Sequence, residues 1–151
     1  MINRWRLHFT YSFCYDIEMN RRLEDGSIDK EFTVSVLIDR HGKVLREIWR
    51  QNGVAERVGG PALTTYDSDT GNIKSQFWEH NGEFSRLDGG PAVIHFDTVT
   101  GQVSRKEYWV AGKKHRDNDQ PAHIEYGSKS KVKRLEYYKN GQCHRDNGPA
   151  V

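Results

Sequence analysis

The sequence predicts an all-β chain, a repeat-built antiparallel meander of hairpins with a divergent β cap on its N-terminal side. Three observations predict it. A phrase of about 29 residues recurs along the chain, and periods of this length mark repeat architectures. Apolar residues alternate with period two, and none follow the helical period for more than about a turn. All four prolines sit at one place in the phrase, in Pro61-Ala62, Pro91-Ala92, Pro121-Ala122 and Pro149-Ala150. Proline's fixed φ and missing N–H suit the start of a strand and nothing central in it.

At 151 residues the chain has the length of one domain, read here as a cap over residues 1–40 and tandem repeats over 41–151. It is polar, with 35% hydrophobic and 29% charged residues, but 11% aromatic content argues against disorder. Aromatics and 14 glycines with few aliphatics fit short strands and tight turns.

The cap begins with "WRLHFTYSFCYDI", which alternates Trp5, Leu7, Phe9, Tyr11, Phe13, Tyr15 and Ile17 on one face. A turn region "NRRLEDGS" follows, then a second alternating run through Phe32, Val34, Val36 and Ile38. "MINRWRLHFTYSF" holds no long apolar run, so neither a signal peptide nor a membrane span is expected, and a cytoplasmic location is. The only cysteines, Cys14 and Cys143, fit a reducing compartment, and the sequence leaves open whether they pair.

The repeats are framed by the aromatic pairs Ile48-Trp49, Phe77-Trp78, Tyr108-Trp109 and Tyr137-Tyr138, with the second members aligned. A turn glycine follows each: Gly53, Gly82, Gly112 and Gly141, preceded by asparagine in three copies. Asn-Gly is a strong hairpin signal, because both residues accept the positive φ of a type I′ turn. An arginine comes next (Arg57, Arg86, Arg116, Arg145), then the Pro-Ala corner. Strands then place Ala62/Thr64/Tyr66, Ala92/Ile94/Phe96 and Ala122/Ile124/Tyr126 on one face. "DSDTG" and "DTVTG" turn the chain in two copies, with the looser "GSKSK" in the third. On the returning strand, Glu47, Gln76, Glu107 and Glu136 are expected to form a ladder across stacked copies, as are Leu45, Lys74, Arg105 and Arg134.

The pattern aromatic-aromatic-x-x-Asn-Gly-x-x-His-Arg-Asp-x-Gly-Pro-Ala resembles divergent MORN-type repeats of bacterial, phage and large-virus proteins. "YYKNGQCHRDNGPAV" at 137–151 is the clearest copy, and "YWVAGKKHRDNDQPAHIEY" at 108–126 the next. The two earlier copies lack the histidine. The resemblance covers residues from about 42 to the end. This unit is longer than the usual one, and its Pro-Ala corner is outside the standard consensus. The resemblance implies an elongated ribbon of hairpins, no shared catalytic residues and a role as an interaction platform.

His115 and His144 hold equivalent places, but no set of cysteines or aspartates joins them at metal-ligand spacing, so no metal is expected. Each repeat arginine is expected to bridge neighbouring units or pair with a local carboxylate such as Asp88, Asp117 or Asp146. The sequence holds no phosphate loop, no Gly-x-Ser-x-Gly and no His-Glu-x-x-His, so neither catalytic residues nor a cofactor are expected. Charge is uneven, at −3 over residues 1–101 and +5 over 102–151.

These features predict a non-enzymatic, protein-binding repeat module. With the resemblance, they suggest a small intracellular adaptor or inhibitor docking on a larger complex, a host-defence machine being one candidate. Its candidate contact residues are Lys113, Lys114, Arg116, Lys129, Lys131, Lys133, Arg134, Lys139, Trp78 and Trp109. Nucleic-acid binding through the basic C-terminal third is the alternative reading. Attachment to an anionic membrane surface ranks last, because no dense polybasic cluster or amphipathic helix supports it. An open sheet edge beside Val151 makes a homodimer a further expectation.

Overall fold

The computed structural model describes residues 7–9, 14–22 and 28–151. Its strands are β1 (Leu7–Phe9), β2 (Cys14–Arg22), β3 (Ile28–Ile38), β4 (Val44–Gln51), β5 (Val54–Ala55), β6 (Leu63–Tyr66), β7 (Ile73–Phe77), β8 (Glu79–His80) and β9 (Glu83–Phe84). Then come β10 (Val93–Phe96), β11 (Val103–Glu107), β12 (Trp109–Val110), β13 (Lys113–Lys114), β14 (His123–Tyr126), β15 (Val132–Glu136), β16 (Tyr138–Lys139) and β17 (Gln142–Cys143). Ten of them run β1-β2-β3-β4-β6-β7-β10-β11-β14-β15 in one large antiparallel sheet, with β5 attached to β4. Each strand on that path pairs with the next along the chain, so the sheet is a meander that does not close into a barrel. Among the described residues no α-helix occurs; one 3₁₀ turn spans Ser128–Ser130.

In the cap, the alternation from Trp5 to Ile17 reads as one run, but the chain reverses within it. β1 pairs with β2 through Leu7↔Ile17 and Phe9↔Tyr15. A period of two is the same on both sides of a tight turn, so alternation alone does not reveal the reversal. Trp5, Tyr11 and Phe13 lie outside the described residues. The expected turn at "NRRLEDGS" is strand as far as Arg22, and residues 23–27 are outside the described set. Cys14 and Cys143 are both free thiols.

The first short hairpin, β4-β5, stays attached to the large sheet, whereas its three later counterparts, β8-β9, β12-β13 and β16-β17, are separate two-stranded arms. Asn52, Asn81 and Asn140 have φ of 51°, 53° and 52°, each followed by a positive-φ glycine, as a type I′ turn requires. Ala111 stands in the asparagine's place with φ 44°. An alanine pays a steric cost there that asparagine largely escapes. Ala111→Asn is therefore expected to raise the melting temperature, stabilising by up to about 1 kcal/mol; calorimetry of the two proteins checks it. The arms also hydrogen-bond one to the next, Gly112 N–H to the Phe84 carbonyl (3.1 Å) and Gly141 N–H to that of Lys114 (2.8 Å).

The backbone corrects the frame of the repeat. The N–H groups of Trp49, Trp78, Tyr108 and Tyr137 donate to the carbonyls of Ala62, Ala92, Ala122 and Ala150 at 2.7, 2.7, 2.7 and 2.8 Å. Over the same four rings lie Arg57, Arg86, Arg116 and Arg145, at 3.9, 4.3, 3.7 and 4.0 Å from the centroids. The equivalent residues in the last two copies are thus Tyr108 and Tyr137, not Trp109 and Tyr138. The sequence carries the signal: in every copy this aromatic stands four residues before the turn glycine and eight before the arginine.

The arginine's common partner is therefore a ring, with a second bond to the corner. Arg86, Arg116 and Arg145 donate through Nη1 to the carbonyls of Pro91, Pro121 and Pro149. Carboxylate pairing varies between copies. Arg86 meets Asp88 (2.8 Å), Arg145 meets Asp119 of the preceding copy (3.5 Å), and Asp117 and Asp146 are taken by His115 and His144.

Beneath each corner an alanine is wholly enclosed: Ala62, Ala92 and Ala122 are all 0% exposed. No large side chain among the described residues is fully buried, so the interior is thin. Links between copies add to the sheet hydrogen bonds. His80 Nδ1 meets Glu56 (2.8 Å), and His115 Nδ1 accepts the N–H of Asn140 (3.1 Å). That leaves the proton of His115 on Nε2, donated to Asp117.

Each returning strand carries a bulge, with one residue outside the pairing. The skipped residues are Leu45, Lys74, Ser104 and Lys133. Two loops that join the strand pairs are closed by an aspartate: Asp67 and Asp97 each accept two backbone N–H groups and a threonine hydroxyl, which holds their carboxyls below the ordinary range.

Candidate functional site

Strand register across the C-terminal half places a set of charged side chains on one face. One cross-strand row runs Phe77–Val93–Glu107–His123–Glu136. The row beside it runs Ser75–His95–Arg105–Glu125–Arg134. The two rows are two residues apart along each strand, so their side chains share a face. The expected ladder of Glu47, Gln76, Glu107 and Glu136 does not form. Glu47 and Gln76 belong to the intervening row with Thr64, Ile94 and Lys106, which faces the other way.

Glu107 anchors this face. It is buried, where Phe77 stands one copy earlier, and Trp109 Nε1 donates to it (3.0 Å). Arg105 Nε (3.3 Å) and Lys114 Nζ (3.6 Å) supply the countercharge. His123, also buried, brings Nδ1 within 3.4 Å of the same carboxylate. Neither Arg105 Nε nor His123 Nδ1 has hydrogen-bond geometry, so both buried nitrogens lack a hydrogen-bond partner. Glu136 repeats the arrangement one copy on, accepting from the Tyr138 hydroxyl (3.0 Å) and meeting Arg134 (2.7 Å). That hydrogen bond pushes the Tyr138 hydroxyl pKa up.

His95 sits between Ser75 and Arg105. Its Nε2 faces the Arg105 guanidinium, which can only donate, so its proton is on Nδ1 and is donated to Ser75 Oγ (2.7 Å). Burial, then the Arg105 charge, lowers the His95 pKa. In this tautomer His95 has no free lone pair for the Ser75 proton, so the contact is not a nucleophile–base pair. Among the described residues no group of three or more His, Cys, Asp or Glu is placed to hold a metal ion.

Between the rows and the bulges lies an open groove of about 490 Å³, lined by Lys74, His95, Arg105, His123, Glu125, Arg134 and Glu136, with Phe96 and Tyr126 among its walls. The bulges explain two basic groups here. Lys74 and Lys133 are skipped residues, and a bulge re-aims the side chain it carries. Lys133 reaches Glu125 at 2.8 Å, which lowers that carboxyl's pKa.

Of the ten contact residues expected from sequence, this face gathers Trp109, Lys114, Lys133 and Arg134. Trp109 packs edge-on against Phe84 (5.4 Å). Lys114 lies between the rings of Trp109 (5.5 Å) and Tyr138 (5.4 Å). Arg116 and Trp78 belong to the arginine-on-ring stacks, in which Arg116 covers Tyr108 and Arg86 covers Trp78. Lys113 and Lys139 are exposed on the arms, and Lys129 and Lys131 on the turn that holds the 3₁₀ segment. The basic stretch is therefore divided among several places. Sequence reading missed His95, His123 and Glu125 as one group, because only register over strands far apart in the chain brings them together.

No protein-family model, curated protein or solved structure matches the chain.

Proposed function

We propose that this chain is a repeat-built β scaffold, related in design to MORN-type hairpin ribbons, whose role is to dock another protein. The observation that carries the reading is the fourfold arginine-on-ring corner, kept in geometry while the residues around it vary. A conserved frame with divergent surface residues suits a platform, since the frame sets rigidity and the variable residues set the partner. The charged face of the C-terminal half is the surface best suited to recognition. Its ion pairs are partly buried and hold their side chains in place before any partner arrives. Nucleic-acid binding has less support, because the exposed lysines of the basic stretch are divided between the arms and the turn that holds the 3₁₀ segment rather than aligned in one stripe.

The test is affinity capture from lysate, with and without nuclease, followed by reconstitution with the purified partner. A complex that survives nuclease and re-forms from two pure proteins is expected. Capture that vanishes with nuclease moves the reading to nucleic acid.

A further inference from the structure

The groove's hydrogen-bond inventory is lopsided. Its carboxylates are occupied: Glu125 by Lys133, and Glu136 by Arg134 and Tyr138. Its cations have capacity to spare. Lys74 is exposed and has no hydrogen bond or salt bridge among the described residues. Arg134 is 54% exposed and Arg105 40%, each with a single carboxylate partner. A guanidinium has five N–H donors, so both arginines can take a further anion. Such a site selects an acceptor-rich, negatively charged group.

Spacing narrows the class. Lys74, Arg105 and Arg134 lie on β7, β11 and β15, each two strands from the next. Strands are about 4.8 Å apart, so the cations follow one another at roughly 10 Å across the sheet. An extended peptide repeats side chains on one face at about 6.7 Å, out of step with this. A helix rises about 1.5 Å per residue, so positions seven apart are separated by roughly 10.5 Å on one face. A nucleic-acid strand brings a charge at every nucleotide and must set one beside Glu125, which lies between Arg105 and Arg134 in their row.

We propose that this groove receives an acidic helical segment of a partner protein, laid across the strands with carboxylates a heptad apart facing Lys74, Arg105 and Arg134. The inference rests on the docking reading and names the partner's chemistry.

The test uses the intact protein and a labelled alanine-rich helical peptide with glutamate at every seventh position, followed by fluorescence anisotropy at low salt. The controls are the same composition with its glutamates adjacent, and oligothymidine. Binding of the heptad peptide is expected, weakened roughly tenfold in Arg105→Gln/Arg134→Gln. Lys74→Gln and Arg134→Gln, both at exposed positions, keep the test valid if loss of Arg105 impairs folding. No binding, equal binding of the adjacent-glutamate control, stronger binding of oligothymidine, or binding indifferent to these substitutions would overturn the proposal. Because the probe is synthetic, any of these results overturns the groove's assignment alone. Failure of the docking reading shows instead as the absence of a reconstituted protein complex.

Discussion

Replacing Ala122 by leucine is expected to destabilise the protein by about 2 kcal/mol, within the range for overpacking a filled site. Ala122 is 0% exposed, its carbonyl accepts from Tyr108 and its N–H donates to Glu136. Extra methylenes have nowhere to go unless these bonds shift. Ala92→Leu is expected to cost a similar amount, since Ala92 holds the equivalent place under Trp78 N–H and is equally enclosed. Ala150 accepts from Tyr137 in the same way but is only half-buried, and its leucine variant is expected to stay within about 0.5 kcal/mol of the parent. Urea unfolding of the three variants checks the contrast. Equal effects at all three positions would mean that the enclosed alanine is not what joins one copy to the next.

Glu107→Ala is expected to cost about 2 kcal/mol as well, for a different reason. It removes the acceptor of Trp109 Nε1 and the countercharge of Arg105 and Lys114. Removing one partner of a fully buried ion pair costs about 3–5 kcal/mol, and the partial exposure of both cations reduces that here. Glu107→Gln keeps an acceptor for the indole and discards the charge. Its stability is expected between the two, and the gap between alanine and glutamine reads the hydrogen bond apart from the ion pairs. Because Glu107 holds Arg105 in place, the alanine variant should also weaken anything bound in the groove.

Much of the fold was legible because the punctuation is strong. Turn glycines and Pro-Ala corners bracket β6, β10 and β14, and the corner itself marks Ala62, Ala92 and Ala122, which are enclosed. What was not legible depends on pairing between strands. The aromatic doublets offer two frames, and residue type favours the wrong member of Tyr108-Trp109, because tryptophan matches tryptophan better than tyrosine does. The true frame is kept by backbone hydrogen bonds and by the arginine, which stacks on either ring type. The bulges at Lys74 and Lys133 also went unseen. A bulge is a mismatch between two strands, and neither strand's own alternation announces it. Of the site, Lys114, Trp109, Lys133 and Arg134 stand out in the sequence by their place in the basic, aromatic third. Glu107, His123 and Glu136 form a row only through two separate strand pairings.

Docking of a protein partner on the charged face, as proposed, is open to direct observation. The most direct measurement places a photo-crosslinking residue at position 134 in the groove, or at position 106 in the row that faces the other way, and irradiates nuclease-treated lysate. A discrete protein adduct is expected from position 134 and none from position 106, with the same adduct from the reconstituted complex. Adducts from position 106 alone, or nucleic acid as the species captured at position 134 when nuclease is omitted, would contradict it.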